Sequence, residues 1–389
     1  MKTLRLFAAV TLLIMAAEFA QAQSYLPNVI TTAVPFLTYS PDARAAAMGE
    51  CGVATEADAF SMFYNPAKYA FMKNEHTMIA SGINLWPRYI TTNFPLYLYG
   101  SFAQKIGKSA IAVTLRHYRA NEIEIRDQYN QSLGLYSPRE IAFDASYSYR
   151  FGDYLSAGLA VRLISSNMAQ GTSDYARPGL SFAGDIGVYY NRPLGRVVDL
   201  SLGASIANIG TKMNYSSSNR KDFLPITMRL GTGVKLNFHP KHSLAFNMQF
   251  SKLLVPTPPI RDMQTDAVIY GYDDDVSVVA GMLHSFYDAP GYSYNPITGV
   301  YDNIGKFYEE LCEINLGFGL EYNLADHFFV RNGFYHRPAL KGGGNYLCSG
   351  LGMHFGIFGM DVSYAIPVNT VVGYNQHTSV FRWDMYFAF

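Results

Sequence analysis

Few residue patterns in this sequence could carry chemistry, and they do not assemble into a reaction. No Gly-x-Ser-x-Gly, His-Glu-x-x-His, Walker-type phosphate loop or Cys-x-x-Cys occurs, so nucleophilic, zinc-hydrolytic, nucleotide and dithiol chemistries have no motif to start from. The nine His residues are scattered without metal-ligand spacing. Gly231-Thr-Gly233, Gly317-Phe-Gly319 and Gly350-Leu-Gly352 look like fragments of nucleotide loops. Each lies inside an alternating apolar stretch, where glycine marks close packing or barrel curvature. Asp273, Asp274 and Asp275 offer carboxylates to a cation but lack the spaced ligands and turn glycine of an EF-hand, so a solvated loop is the better reading. Cys51, Cys312 and Cys348 are odd in number and have no zinc spacing. They read as buried or lumen-facing thiols, with a Cys312–Cys348 bridge left open. No catalytic residue, cofactor or metal is assigned, and the chain reads as a non-enzyme.

The composition points to an unusual surface. Charged residues are only 15% of the chain, against about 25% in an ordinary soluble domain. There are 30 Tyr and 26 Phe, and 30 basic residues balance 30 acidic ones. A net charge of zero gives no electrostatic case for nucleic acid, which needs a basic surface to displace counterions. At the N-terminus, Lys2 and Arg5 precede an apolar stretch from Leu6 to Ala17, and Ala20-Gln21-Ala22 has the small-x-small form of a cleavage site. Residues 1–22 are therefore expected to be a signal peptide. No later stretch is long and apolar enough for a transmembrane helix.

From about His76 the chain repeats one unit, a run of period-two alternation followed by a reversal. Phe143, Ala145, Tyr147, Tyr149 and Phe151 fall on one face, with Asp144, Ser146, Ser148 and Arg150 on the other. Leu155, Ala157, Leu159, Val161 and Leu163 oppose Ser156, Gly158, Ala160 and Arg162, while Ile226, Met228, Leu230 and Val234 oppose Arg229, Gly231, Gly233 and Lys235. Fourteen such segments are expected, at about 76–84, 92–106, 108–119, 140–151, 153–166, 178–191, 197–208, 225–237, 242–254, 312–324, 326–337, 344–356, 358–366 and 377–389. Links after even-numbered segments are short, and those after odd-numbered ones are mostly long: 120–139, 167–177, 209–224, 255–311 and 367–376. That segregation is the outer-membrane arrangement, with long loops outside the cell. The fold expected is all-β, a 14-stranded transmembrane antiparallel barrel over 76–389. Phe389 closes an amphipathic last segment, a usual feature in barrel insertion, and Tyr147, Tyr149, Tyr189 and Tyr190 would sit in an interfacial girdle. Leu159→Arg should then be costly on the lipid face, and Gly158→Ser on the lumen face should be tolerated.

Two segments break the repeat. Residues 23–75 are expected to fold inside the lumen or against its periplasmic mouth. Within them, Ser40 would cap a helix with Pro41 in first position, and Asn65-Pro66-Ala67 signals a turn or helix start. The 255–311 link is too long for a structureless loop and is expected to be an ordered, partner-binding cap. Its candidate contact residues are Pro256, Pro258, Pro259, Asp273, Asp274, Asp275, Phe286, Tyr287 and Asp288, with a helical turn at 306–311.

Several of these stretches resemble one family. Val34-Pro-Phe-Leu-Thr-Tyr-Ser-Pro-Asp-Ala-Arg-Ala-Ala-Ala-Met-Gly49, Gly52-Val-Ala-Thr55, Asn65-Pro-Ala-Lys-Tyr-Ala-Phe71, Lys221-Asp-Phe-Leu-Pro225, Lys252-Leu-Leu-Val-Pro-Thr-Pro-Pro259 and Ser285-Phe-Tyr-Asp-Ala-Pro-Gly291 look like the PorV (LptO) family of the Bacteroidetes type IX secretion system. That family falls among the fatty-acid-transporter-like (FadL-like) barrels, and Asn65-Pro66-Ala67 resembles their hatch motif. The resemblance implies a hatch over 23–75 and a role in protein export. Such barrels receive cargo bearing a C-terminal secretion domain from the translocon and deliver it to a surface complex that attaches it to lipopolysaccharide. The alternative function is a FadL-like channel for hydrophobic small molecules. A lipid A deacylase would need a Ser or His constellation at the lipid face, which the sequence does not offer.

Overall fold

The computed structural model describes residues 25–73, 76–81, 95–126, 129–168, 177–215, 221–262, 264–369 and 379–389. The expected signal peptide and the reversal at 85–91 lie outside the described residues, as do parts of the links at 167–177, 209–224 and 367–376. The wall is made of β1 (His76–Ser81), β2 (Leu96–Ile106), β3 (Ser109–Arg119), β4 (Arg139–Phe151), β5 (Leu155–Asn167), β6 (Gly179–Leu194) and β7 (Val198–Gly210). It continues through β8 (Thr227–His239), β9 (His242–Leu253), β10 (Asn315–Leu324), β11 (Phe328–His336), β12 (Asn345–Phe355), β13 (Phe358–Asn369) and β14 (Val380–Ala388). Among the described residues these strands pair antiparallel in chain order, and β1 meets β14 with Thr77 opposite Ala388 and Ser81 opposite Asp384. Strand ends depart by a few residues from those read from the alternation. The clearest case is 312–314, which follows a helix instead of opening β10.

The period-two pattern sets what each face meets. On β5, Leu155, Leu159, Val161 and Leu163 are exposed on the outer surface, while Ser156, Gly158, Ala160 and Arg162 are buried inside. Reversals at one end are two or three residues long, and Gly107 and Gly152 take φ of 61° and 67°, the left-handed region that tight hairpins demand.

The barrel's interior is filled, and residues 33–72 fill much of it. Phe36, Leu37 and Phe60 pack on Tyr97 and Tyr99 from β2. Helix α1 (Ala43–Ala47) is capped by Asp42, whose side chain accepts from the Ala45 amide at 3.0 Å. The cap is therefore not Ser40, whose hydroxyl instead meets Tyr64 Oη at 2.8 Å after α2 (Ser61–Tyr64) has folded back. Asn65 then caps a 3-10 helix, Pro66–Phe71. Tyr189 also corrects the sequence reading. It faces inward against Phe71, because it falls on the lumen side of β6. Ile226 precedes β8 and is covered by Phe223, Leu254 and Val255 instead of lying on an open wall.

Glycines on the inner wall mark where the inserted segment comes closest. An added Cβ at Gly158 would lie 2.6 Å from the Ala67 amide nitrogen, and one at Gly319 would lie 2.6 Å from Met48 O. The expectation that Gly158→Ser is tolerated is overturned, because the lumen there already holds Pro66 and Ala67 backbone. That substitution is expected to cost about 1–3 kcal/mol by overpacking, read as a lower urea midpoint of the reconstituted protein. Cys51, Cys312 and Cys348 are all buried, and none is in a disulfide.

Candidate functional site

Two regions collect the polar residues that the alternation left facing inward or sent into the long loop. Inside the barrel, Asp144 on β4 lies directly across from Thr114 on β3 and Arg162 on β5, and all three side chains bond. Arg116 Nε adds a bond to Asp144 at 3.0 Å, and Arg162 reaches Asp185 on β6 at 2.8 Å. On the opposite wall Glu321 and Arg331 are also cross-strand partners, at 2.6 Å, and Arg331 meets Asp361 at 2.5 Å. Arg44 from α1 joins that group through Glu321 at 2.7 Å, and the Ala43 amide donates to Asp384 at 2.7 Å. These wall charges pair with each other and with the inserted segment, as buried charges must, while Arg229 on β8 instead lies over the Phe63 and Tyr64 rings.

The Asn65-Pro66-Ala67 triplet is tied to the wall. Asn65 Oδ1 accepts from the Ala67 amide at 3.1 Å, and Asn65 Nδ2 donates to Val188 O at 2.9 Å. Ser156 Oγ donates to Ala67 O at 2.7 Å, and Ser205 Oγ to Tyr64 O at 2.6 Å. These bonds satisfy backbone groups that the triplet would otherwise bury unpaired.

The long loop is built from short elements. It contains a hairpin of Ile260–Arg261 with Val268–Tyr270, helix α3 (Val278–His284), a second hairpin of Tyr292–Asn295 with Val300–Asn303, and helix α4 (Lys306–Leu311). A buried ion cluster anchors it. Lys252 at the end of β9 meets Glu313 at 2.5 Å and Glu310 at 3.2 Å, while Lys341 meets Glu309 at 2.7 Å and Glu313 at 3.0 Å. Thr257 Oγ1 donates to Glu313 at 2.6 Å, and its amide donates to Asp288 at 3.3 Å. The N-terminal residues brace the same cluster. Leu26 N donates to Tyr294 O, Asn28 Nδ2 to Pro258 O, and Ala33 N to Phe223 O. On α3, Gly281 lies against the Phe223 ring, which leaves Val279 and Leu283 outward at 68% and 61% exposure.

The loop residues singled out from sequence therefore separate. Phe286 and Tyr287 are half exposed, whereas Pro256 and Asp288 are buried beneath them. Pro258 and Pro259 are half-buried. The acidic run does not converge on one point. Asp273 and Asp274 pair with Arg261 at 2.8 and 2.6 Å, and Asp275 pairs with Lys212 at 3.4 Å. Among the described residues no group of carboxylates, His or Cys is placed to hold a metal. Sequence reading missed Lys252, Lys341, Glu309, Glu310 and Glu313. The one available signal was the acidic spacing at 309, 310 and 313, which puts carboxylates on adjoining turns.

The cluster carries more carboxylates than amines, and its electrostatics follow from that. Burial pushes the Asp288 carboxyl up to about 6, and nearby Glu313 adds to the shift. Glu310 is raised by burial and by Glu313. A raised carboxyl favours its protonated form in the folded loop, so its stabilising contribution is complete at low pH and is lost as pH rises through about 6. Exchange of the Asp288, Ala289 and Gly291 amides, corrected for intrinsic rates, is expected to be slower at about pH 5 than at about pH 7.5, and Asp288→Asn should flatten that dependence.

Residues 20–260 match the family model described as type IX secretion system protein PorV. No curated protein matches the chain. Among solved structures, the deltaS2 mutant of the TodX monoaromatic hydrocarbon channel is 11% identical, covers 90% of this chain and 100% of its own, and superposes with a TM-score of 0.51. The toluene transporter TbuX of Ralstonia pickettii is 11% identical over 89% of this chain and 98% of its own, with a TM-score of 0.47. A FadL homologue of Pseudomonas aeruginosa is 11% identical over 94% and 100%, with a TM-score of 0.42.

Proposed function

The chain belongs to the PorV family of type IX secretion system proteins, and from that footing we propose that it receives exported proteins at the cell surface. In this reading it is a fourteen-stranded outer-membrane barrel, delivered by a cleaved signal peptide, with residues 23–75 as its hatch. Cargo bearing a C-terminal secretion domain docks on the external loops after leaving the translocon. The barrel then carries it to the complex that removes the domain and attaches the cargo to lipopolysaccharide.

The observation that carries this reading is the 255–311 loop. It is held by a buried ion cluster yet presents Ile269, Val279, Leu283, Ile297 and Tyr301 outward. An ordered loop with an apolar crest suits a protein partner, since aromatic and aliphatic anchors supply most of an interface's binding energy. A passage for small molecules would have to displace the inserted segment from Glu321 and from its bonds to Ser156, Val188 and Ser205.

The test is deletion of the gene in its host, followed by comparison of secreted and surface-attached proteins with wild type. Loss of C-terminal-domain cargo from the surface, with unprocessed precursors accumulating, is the expected result. Normal secretion with slowed uptake of a hydrophobic nutrient would contradict it and favour the channel reading.

A further inference from the structure

On the outer side of the barrel, α4 and residues 286–287 fold back over the wall and form with it a half-open groove of about 590 Å³. Its floor is the wall's own outward face, Leu230 on β8 and Phe250 on β9, with Ile314 just before β10. Its roof is Phe286, Phe307 and Leu311, left 50%, 76% and 48% exposed. At the inner end the Lys252 amine and the Glu310 carboxylate pair with each other. At the lip stands Lys306, which is exposed. Its amine lies 5.2 Å from the centre of the Tyr272 ring and forms no ion pair with a described residue.

We infer that this slot holds one acyl chain of an outer-membrane lipid, with the lipid's phosphate at Lys306. The floor is continuous with the apolar band that the barrel turns toward hydrocarbon, so a chain enters from the bilayer without crossing water. An apolar slot with one unpaired cation at its mouth matches an amphiphile that has an anionic head. The inference rests on the outer-membrane barrel and goes beyond the cargo role, because the slot opens toward lipid beneath the loop's outer crest.

The test uses the full-length protein in nanodiscs containing a phosphatidylethanolamine with a photoreactive diazirine at the end of one acyl chain. Diacylglycerol with the same tagged chain serves as the uncharged comparison. Label is expected to concentrate on Phe286, Phe307 and Leu311 above the level at Leu159 and Val161 on the open wall. Lys306→Glu should reduce slot labelling by the phospholipid about fivefold, since a basic residue at the lipid surface contributes about a factor of that size, and should leave labelling by diacylglycerol unchanged. Leu311→Asp should reduce labelling by both lipids, with the wall signal preserved as evidence of folding. Phe307→Asp repeats that test at a position three-quarters exposed. Slot labelling no denser than that of the wall, or unchanged by Leu311→Asp and Phe307→Asp, would overturn the inference. So would native membranes in which the slot cross-links to a protein chain and carries no lipid. None of these outcomes depends on whether the barrel handles cargo.

Discussion

Asp144→Asn is expected to destabilise the barrel by about 3–5 kcal/mol, the usual cost of removing one partner from a buried ion network. Asp144 is fully buried and bonds Thr114, Arg116 and Arg162, so the isosteric amide leaves Arg116 without its carboxylate partner and Arg162 with Asp185 alone, without opening a cavity. The loss should appear as a lower urea midpoint for unfolding from lipid vesicles and as less folded, heat-modifiable band on a gel. Ser146→Ala on the same face of β4 is the matched comparison. The Ser146 hydroxyl is buried without a hydrogen bond, so its removal is expected to be nearly neutral. Equal effects at the two positions would mean that the charges do not hold the lumen together.

Leu159→Arg has the next largest expected effect, about 2–4 kcal/mol of lost stability in a bilayer. Leu159 is 61% exposed on the outer face and lies directly across from Tyr147 and Ile186, themselves 51% and 45% exposed. In water, exchanging an exposed leucine for arginine would cost little, so the size of the effect reports the solvent. Phe151→Arg, on the same outer face but at the end of β4 beside the Gly152 reversal, is expected to cost only about 0–1 kcal/mol. Refolding the three proteins into vesicles of one composition and comparing denaturant midpoints reads this depth dependence. A flat profile would argue against lipid around the wall.

What was legible in the sequence and what was not divide along a physical line. The faces of β4 and β5 follow from period two alone, because one shifted residue would turn Phe143 and Leu159 inward and Asp144 and Arg162 outward. Alternation reports only which way a side chain points, however. It says that Gly158 and Tyr189 belong to the lumen side, or would if the girdle reading had not claimed Tyr189, and nothing about what the lumen contains. The tight seat of Ala67 against Gly158 is a contact between residues far apart in the chain. The same limit hid the loop anchor, in which Asn28, Lys252, Glu309, Glu313 and Lys341 converge from four separate stretches. Local reading also misplaced a cap. Ser40 has the right type, but Tyr64 takes its hydroxyl, and Asp42 two residues on reaches the Ala45 amide instead.

Whether the external loop handles cargo can be read by replacing 255–311 with a short flexible linker in the host. Heat-modifiability on gels would first establish that the shortened protein is folded and present in the outer membrane. C-terminal-domain cargo is then expected to accumulate unprocessed while its surface-attached form is lost. Wild-type levels of processed, surface-attached cargo from a correctly inserted barrel lacking the loop would contradict it.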